Sequence, residues 1–433
     1  MENPIDFVKR PIAIVGMGMS GEAARRLLLR SRVKGPDLIT FDDKSGMANY
    51  SDPEKMLRER SPKTLVVSPG YPLSKEWIQE FREQGGSVTS ELALALHFLT
   101  SERLVCVTGS VGKSTTVSLL EAGLKSFSPA SFVGGNIGRP LADYVSDLLE
   151  RKRDKAPWVV LELSSYQLEN CGELRCDFSA ITYLTGNHLD RYPSREAYYE
   201  TKWSLVKRTD KAVVLNENGG DLRGFAKGRK ENAEILWTDQ SDEELASYEL
   251  NDAKLLGAHN QDNLAVAVKI AREAGWPQSV FQAMKEFPGL PHRMENLGMR
   301  QKVLFVNDSK ATTIESVKTA ALGIYEQMDK KSHLILLLGG RDKNLPWADL
   351  SALKKIQKLK PVFFGECGSM AMAKSGLAGE IFPSLKEALD AIHSYVRTGD
   401  TVLLSPGGTS LDEFKSFEER GRFFSESVRK AYP

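Results

Sequence analysis

The stretch "RLVCVTGSVGKSTTVSLLEAGL" (103–124) constrains the fold more than any other part of the chain. An apolar run of strand type, Leu104 to Val107, gives way at once to glycines, a lysine and hydroxyls, and then to a helix-forming segment. Gly109 and Gly112 let bare backbone approach an oxyanion, and a helix starting near Lys113 aims its unpaired N–H groups at the same point. The backbone of Ser110 and Val111 completes such a cradle. Lys113 supplies a point charge for the outer phosphates of ATP, and Ser114 or Thr115 offers a hydroxyl to Mg²⁺. The common G-x-x-x-x-G-K-[ST] spacing would need glycine where Val107 stands, so this loop is shorter than the common form. An ordinary glycine turn with a capping serine is the competing explanation. The coincidence of glycine, lysine and two hydroxyls at a strand-to-helix junction argues against it.

A loop of this kind needs a parallel sheet around it, and the chain alternates short apolar runs with longer amphipathic ones from end to end. That rhythm is βαβ and predicts an α/β protein. The expected strands fall in three series: 11–16, 38–42, 64–70 and 87–92; then 103–109, 158–164, 179–184 and 211–216; then 302–308, 333–340, 361–366 and 401–408. "FPGLPHR" (287–293), with two prolines and a glycine, marks a connector before the third series. A chain of 433 residues exceeds one ordinary core. The expectation is three domains: an N-terminal Rossmann-like one (1–97), a central phosphate-loop one (98–291) and a C-terminal Rossmann-like one (292–433).

Charge narrows the partners. Lys and Arg (58) nearly cancel Asp and Glu (57), so nothing global attracts nucleic acid or a membrane surface, and anionic ligands must be held by local sites. No segment approaches the ~20 apolar residues of a membrane span. Cys106, Cys171, Cys176 and Cys367 show no paired spacing and read as reduced thiols. A cytoplasmic, monomeric protein is expected.

"GMGMSG" (16–21) fits G-x-G-x-x-G after a strand, and Asp42 and Asp43 follow where a ribose-binding carboxylate would lie, which suits a nucleotide or nucleotide-like ligand. A tight glycine turn between strand and helix is also a packing solution. In "VVLELSSYQLE" (159–169), Glu162 ends an apolar strand and is followed by Ser164, Ser165 and Gln167. Beside a phosphate loop on the same sheet, that carboxylate suits Mg²⁺, which takes oxygen ligands and shares them with phosphates. "GNHLDRYPSREAYYETKW" (186–203) holds His188, Asp190, Arg191 and Lys202, any of which is equally a structural residue. Asn260 and Asn263 precede an alanine-rich helix, where amides suit a purine edge or a helix cap. "NDSKATT" (307–313) and "SPGGTSLDEFKSFEERG" (405–421) place small polar residues and lysines after strands, as ligand-contacting loops do.

In this order the strings "TGSVGKST", "GGNIGRP", "ELSSYQLE", "HLDRYPS", "YYETKW", "HNQDN", "GLPHR", "NDSKAT" and "SLDEFKSFEERG" resemble the Mur ligases of peptidoglycan synthesis, from Gly16 to about Gly421. "ELSSYQLE" and "SLDEFKSFEERG" resemble most the member that adds D-glutamate to UDP-N-acetylmuramoyl-L-alanine. The resemblance implies an ATP-dependent ligase that works through an acyl phosphate and a tetrahedral intermediate. It implies two Mg²⁺ ions held by Ser114, Glu162, His188 and a carbamylated Lys202, with Lys113, Glu162, His188 and Lys202 as catalytic residues. Asn260, Asn263, Arg293 and Asp308 would join the glycine loop in holding ATP. Gly18, Met19, Ser20, Asp42, Lys44, Asn136, Ser164 and Gln167 would hold the UDP substrate. Lys310, Thr312, Lys343, Ser410, Leu411 and Phe417 would hold D-glutamate, on a C-terminal domain that closes over ATP. The sequence departs from the family at Val111, where asparagine is usual, and most strongly around Lys343. An oxidoreductase using NAD or FAD at "GMGMSG", a folylpolyglutamate-type ligase and a non-catalytic nucleotide-binding module are the alternatives.

Overall fold

A computed structural model describes residue 5 and residues 8–44, 46, 48–186 and 191–433. Three sheets form the framework. The first contains β1 (Ile12–Val15), β2 (Leu38–Phe41), β3 (Thr64–Val67) and β4 (Ser87–Thr89) in the order β2-β1-β3-β4, all parallel. The second contains β5 (Arg103–Thr108), β6 (Phe132–Gly135), β7 (Trp158–Glu162), β8 (Cys176–Ile181), β9 (Thr209–Asn216) and β10 (Glu234–Thr238), again parallel, in the order β10-β9-β8-β5-β7-β6. The third contains β11 (Glu295–Arg300), β12 (Val303–Asn307), β13 (Leu334–Gly339), β14 (Leu359–Phe364), β15 (Glu380–Phe382) and β16 (Thr401–Gly407), in the order β11-β12-β16-β13-β14-β15.

The apolar runs are continuous because both faces of each sheet are covered. On β1, Ile12 and Ile14 enter one core while Ala13 and Val15 enter another. On β13, Leu334, Leu336 and Leu338 face one core while Ile335 and Leu337 face the opposite one. This period of two is the strand geometry that the sequence reading relies on.

Two compact units divide the chain. Met1–Tyr248 with Asp262–Met284 form one, and Glu249–Gln261 with Lys285–Pro433 form the other. The first two sheets share a unit because one apolar cluster runs from Ile12 and Ile14 through Leu27 and Leu28 to Tyr144, Val145 and Leu161. Segment Glu249–Gln261 groups with the third sheet, and two bonds at Lys254 tie it there: Lys254 N donates to Lys285 O at 2.9 Å, and the Asn296 side chain donates through Nδ2 to Lys254 O at 2.8 Å.

Several elements differ from expectation. The third sheet is not wholly parallel, since β11 pairs antiparallel with β12 and its register shifts between Asn296 and Met299. The reversal uses Gln301 and Lys302 at φ of 49° and 62°, with neither the asparagine nor the glycine that usually announces such a turn. β8 ends at Ile181 and frees Thr182 to Leu184 for a loop, whereas 179–184 had the look of a strand. β4 stops at Thr89 because Ser90 caps the next helix, its Oγ accepting from Ala93 N at 3.1 Å. β6, β10 and β15 carry glycines or lie half exposed at edges, so their apolar pattern is weak.

Helix Leu141–Leu149 has Pro140 at its cap, which offers no side-chain acceptor, and Glu91 takes that role from another helix by accepting Ala142 N at 2.6 Å. Glu91 is buried, and burial pushes its carboxyl up to about 7. A carboxyl raised on folding contributes stability below its unfolded value of 4.5, and that contribution is lost as pH rises through about 7. Glu91→Gln keeps an acceptor without a charge, so it is expected to raise stability by roughly 1–3 kcal/mol at pH 8 and to do little at pH 5. Thermal melting at the two pH values measures this, and equal gains at both would refute it.

Candidate active site

The glycine loop sits at the carboxyl end of β5, on the register line Val107↔Glu162 with β7. Helix Lys113–Phe127 starts immediately behind it, with Gly112 at the cap and no side chain occupying the capping position. The first-turn N–H groups therefore face the loop without a competing side-chain cap. Gly109 lies at φ of 152°, and a Cβ there would stand 2.1 Å from Thr182 Oγ1, so only glycine fits. Thr182 Oγ1 donates to the carbonyls of Val111 at 2.5 Å and Thr108 at 3.2 Å, while Ser110 N donates to Tyr183 O at 2.7 Å. Val111 thus serves the loop through its carbonyl, and its side chain is 58% exposed. The contact of Val111 with Thr182 thus runs through main chain and not through the valine side chain. Ser114 is half-buried and Thr115 buried at the helix start.

Two lysines converge on one carbonyl. Lys113 Nζ donates to Gly109 O at 2.9 Å, and Lys202 Nζ donates to the same oxygen at 2.8 Å. Lys202 comes from helix Arg195–Trp203, is 1% exposed, and has its Nζ 4.8 Å from the centroid of the Tyr198 ring one turn earlier. Burial holds its amine well below the ordinary lysine range, the Lys113 charge pushes it the same way, and the Glu162 carboxylate opposes both.

Glu162 is buried at the end of β7. Its Oε1 accepts from Asn136 Nδ2 at 2.7 Å, while Oε2 is buried and has no hydrogen-bond partner among the described residues. A buried carboxylate oxygen left unpaired is costly, and a hard cation would satisfy it. The residues therefore fit Mg²⁺, with Glu162 as ligand and Ser114 at the adjoining helix start. Lys202 suits such an ion only as an oxygen donor, which a carbamate would be and an amine is not. His188, the remaining ligand expected, lies outside the described residues. Among the described residues no cluster of three or more His, Cys, Asp or Glu side chains forms a ready-made metal cage.

Asn136, expected at the sugar, is held to Glu162, and Asn136 N also donates to Glu162 O at 2.8 Å. Ser164 and Gln167 form a capping box on the short helix Ser165–Leu168: Gln167 N donates to Ser164 Oγ at 3.3 Å and Ser164 N donates to Gln167 Oε1 at 3.0 Å. In the first sheet, helix Met19–Arg30 starts at Gly18 without a side-chain cap, leaving its first turn open to an anion. Met19 is 65% exposed, and Ser20 is half-buried beside it. Asp42 braces this turn, with Oδ2 accepting Met17 N at 2.7 Å and Oδ1 accepting the N–H of exposed Lys44 at 2.9 Å.

The third sheet gathers a second group at its strand ends. Asp308 follows β12 and accepts from Ser405 Oγ at 3.0 Å and Met294 N at 3.1 Å. Burial pushes its carboxyl up to about 7, against those two bonds and the charge of Arg293. Lys310 Nζ lies 5.1 Å from the Phe417 ring centroid. Ser410 is buried, Thr312 half-buried, and Leu411 57% exposed. Lys343 is exposed on a loop braced by Asp342, which accepts from Trp347 Nε1 at 2.8 Å. Asn260 and Asn263 are both buried on helix Ala258–Glu273. Asn260 Nδ2 caps back onto Leu256 O at 2.8 Å, and Asn263 Oδ1 lies 3.5 Å from Thr116 Oγ1 behind the glycine loop.

Thr182, Tyr198 and Arg420 were not legible as site residues. Each is ordinary in its string and becomes informative only through what it touches. For Tyr198 the one available signal is its spacing of four from Lys202, which puts both on one helix face.

A parallel sheet carrying a glycine loop, a lysine at the helix start and a buried carboxylate on the next strand defines a phosphate-loop nucleotide-binding protein. Residues 107–271 match the family model described as the Mur ligase middle domain. The UDP-N-acetylmuramoylalanine–D-glutamate ligase of Myxococcus xanthus is 34% identical, with 96% of this chain and 97% of that protein covered. The ligase of the same name from Anaeromyxobacter dehalogenans is 33% identical, with 95% and 96% covered. The chain therefore belongs to the Mur ligase family. Its fold is like that of the UDP-N-acetylmuramate–alanine ligase of Thermotoga maritima, with a TM-score of 0.54 at 16% identity over 98% of this chain and 100% of that one. Among the described residues no helix is long and apolar enough to cross a membrane.

Proposed function

We infer that the protein is an ATP-dependent amide ligase that joins D-glutamate to UDP-N-acetylmuramoyl-L-alanine in peptidoglycan precursor synthesis. The observation that carries this reading is the 34% identity, along 96% of the chain, to a ligase of that name. A carboxylate is a poor electrophile, so its oxygen first attacks the γ-phosphorus of ATP. An O–P bond forms, the bond from γ-phosphorus to the β-bridging oxygen breaks, and ADP leaves. The amine of D-glutamate then adds to the acyl carbon, and the tetrahedral intermediate expels phosphate as the amide forms and the amine loses its proton.

The glycine loop and Lys113 bind and orient the phosphates, and phosphoryl transfer is mostly such positioning and charge neutralisation. Mg²⁺, held by Glu162, Ser114, His188 and a carbamate on Lys202, would neutralise phosphate charge when bound. The open helix start at Gly18 to Ser20, with Asp42 and Lys44, holds the UDP handle, and Asn136, Ser164 and Gln167 adjoin the sugar and peptide. Asn260, Asn263, Arg293 and Asp308 serve ATP. Lys310, Thr312, Lys343, Ser410, Leu411 and Phe417 serve D-glutamate, where cations and hydroxyls suit a dianion. The domain limits 1–97, 98–291 and 292–433 belong to the same proposal.

Phosphate release from ATP by the purified protein tests the reading, with Mg²⁺, UDP-N-acetylmuramoyl-L-alanine and D-glutamate omitted in turn. Release is expected only when all are present. Release indifferent to D-glutamate, or a nicotinamide-dependent absorbance change in its place, would overturn it.

A further inference from the structure

Helix Phe417–Ala431 carries Arg420 into the carboxyl end of the third sheet with 0% exposure. Its Nε donates to Ser309 Oγ at 3.0 Å and its Nη2 to Ser309 O at 2.9 Å. Nη1 and Nη2 both donate to Gly408 O at 3.2 Å. Ser309 Oγ in turn donates to Phe417 O at 2.8 Å. A Cβ on Gly340, just past β13, would stand 2.9 Å from Nη1, so the guanidinium also packs against that strand end.

This is a costly way to fill space. Among the described residues no carboxylate lies within ion-pair distance of Arg420, and its charge is met by carbonyl dipoles. Burial lowers the guanidinium to about 10, with Asp412 and Glu413 opposing, so it stays protonated at neutral pH. A buried ionic group seldom adds net stability over an apolar replacement, but its fork fixes the geometry of whatever it binds. The segments it binds are particular ones: Ser309 precedes Lys310, Gly408 lies two residues before Ser410, and Phe417 opens the helix.

We propose that Arg420 is a positioning residue for the amino-acid pocket, tying the loops after β12 and β16 and the start of helix Phe417–Ala431 into one arrangement. Lys310, Ser410 and Phe417 then meet the dianionic acceptor together. Their assignment to D-glutamate rests on the function proposed above. Arg420 touches no substrate and acts through Ser309 and Gly408.

Arg420→Lys keeps a charge but replaces the fork with one centre, and Ser309→Ala removes the hydroxyl link to Phe417 while leaving the carbonyl bonds. In Arg420→Lys the KM for D-glutamate is expected to rise roughly ten- to a hundredfold, with KM for ATP and for the UDP substrate within about twofold of wild type. Ser309→Ala is expected to show the same selectivity at smaller size, and it carries the test should Arg420→Lys not fold. Amide hydrogen exchange at 308–312 and 407–412 is expected to quicken in both variants while the rest of that unit keeps its protection. An unchanged D-glutamate KM, or a proportional rise in all three constants, overturns the proposal. If wild type shows no D-glutamate-dependent phosphate release, the functional reading fails and exchange alone decides: selective loosening of the two loops sustains the role of Arg420, and unchanged exchange overturns it.

Discussion

Lys202→Ala is expected to lose about a thousandfold in kcat, and to recover about tenfold when acetate or formate is added, with the structure otherwise intact. Lys202 is 1% exposed and bonds a neutral carbonyl, Gly109 O, at 2.8 Å. A charged ammonium there is buried and has no carboxylate within ion-pair distance among the described residues, so burial favours the neutral amine. The neutral amine is the form that adds CO₂: Nζ bonds to carbon, an electron pair moves onto oxygen, and a proton leaves the nitrogen. The product would be an anion with hard oxygen donors, and Glu162, whose charge acts on the Lys202 amine, keeps an Oε2 that has no hydrogen-bond partner among the described residues. Alanine removes the amine and leaves room in which a small carboxylate can stand. Because the neutral fraction grows as pH rises through the lowered pKa, activity in bicarbonate-containing buffer is expected to fall on the acid side. Full activity of Lys202→Ala without added carboxylate would remove the residue from the site.

Lys113→Ala is expected to cost about a hundred- to a thousandfold in kcat/KM for ATP, the usual scale for deleting a preorganised charge at a transferring phosphoryl group. Lys113 has a second effect that separates this site from a simple phosphate clamp. Its charge is among the causes that hold the Lys202 amine low, after burial. Removing it lets Lys202 take up a proton more readily, so the acid limb of the pH profile is expected to move to higher pH in Lys113→Ala. A pH–rate profile with the residual activity normalised measures this shift. An unmoved limb would mean that the two lysines are not coupled, and near-normal turnover would remove Lys113 from the phosphate site.

The signals that could be read from the chain were local ones. Strand β5 and its loop declare themselves because four apolar residues run straight into glycines, and backbone approach to an anion depends on those few positions alone. Glu162 was legible as a carboxylate ending an apolar run, although its unpaired oxygen was not. Antiparallel β11 escaped because its turn uses Gln301 and Lys302 at positive φ, against their ordinary preference. Ser164 and Gln167 show the converse. As a string they suggested ligand contact, and the structure adds a bond between them, a helix cap that the string did not announce.

Residue order alone therefore determined the parallel α/β character, the position of the phosphate loop and the family, because periodicity and glycine placement act over a few neighbouring residues. Tertiary structure decided which charges lose their water. Lys202 reads as a solvated helix lysine until the chain folds Gly109, 93 positions earlier, onto its amine. Arg420 is one charged residue among several in its string until the chain brings Ser309, 111 positions earlier, to its guanidinium. Desolvation depends on every atom within a few ångströms whatever its place in the chain, and no local pattern records that.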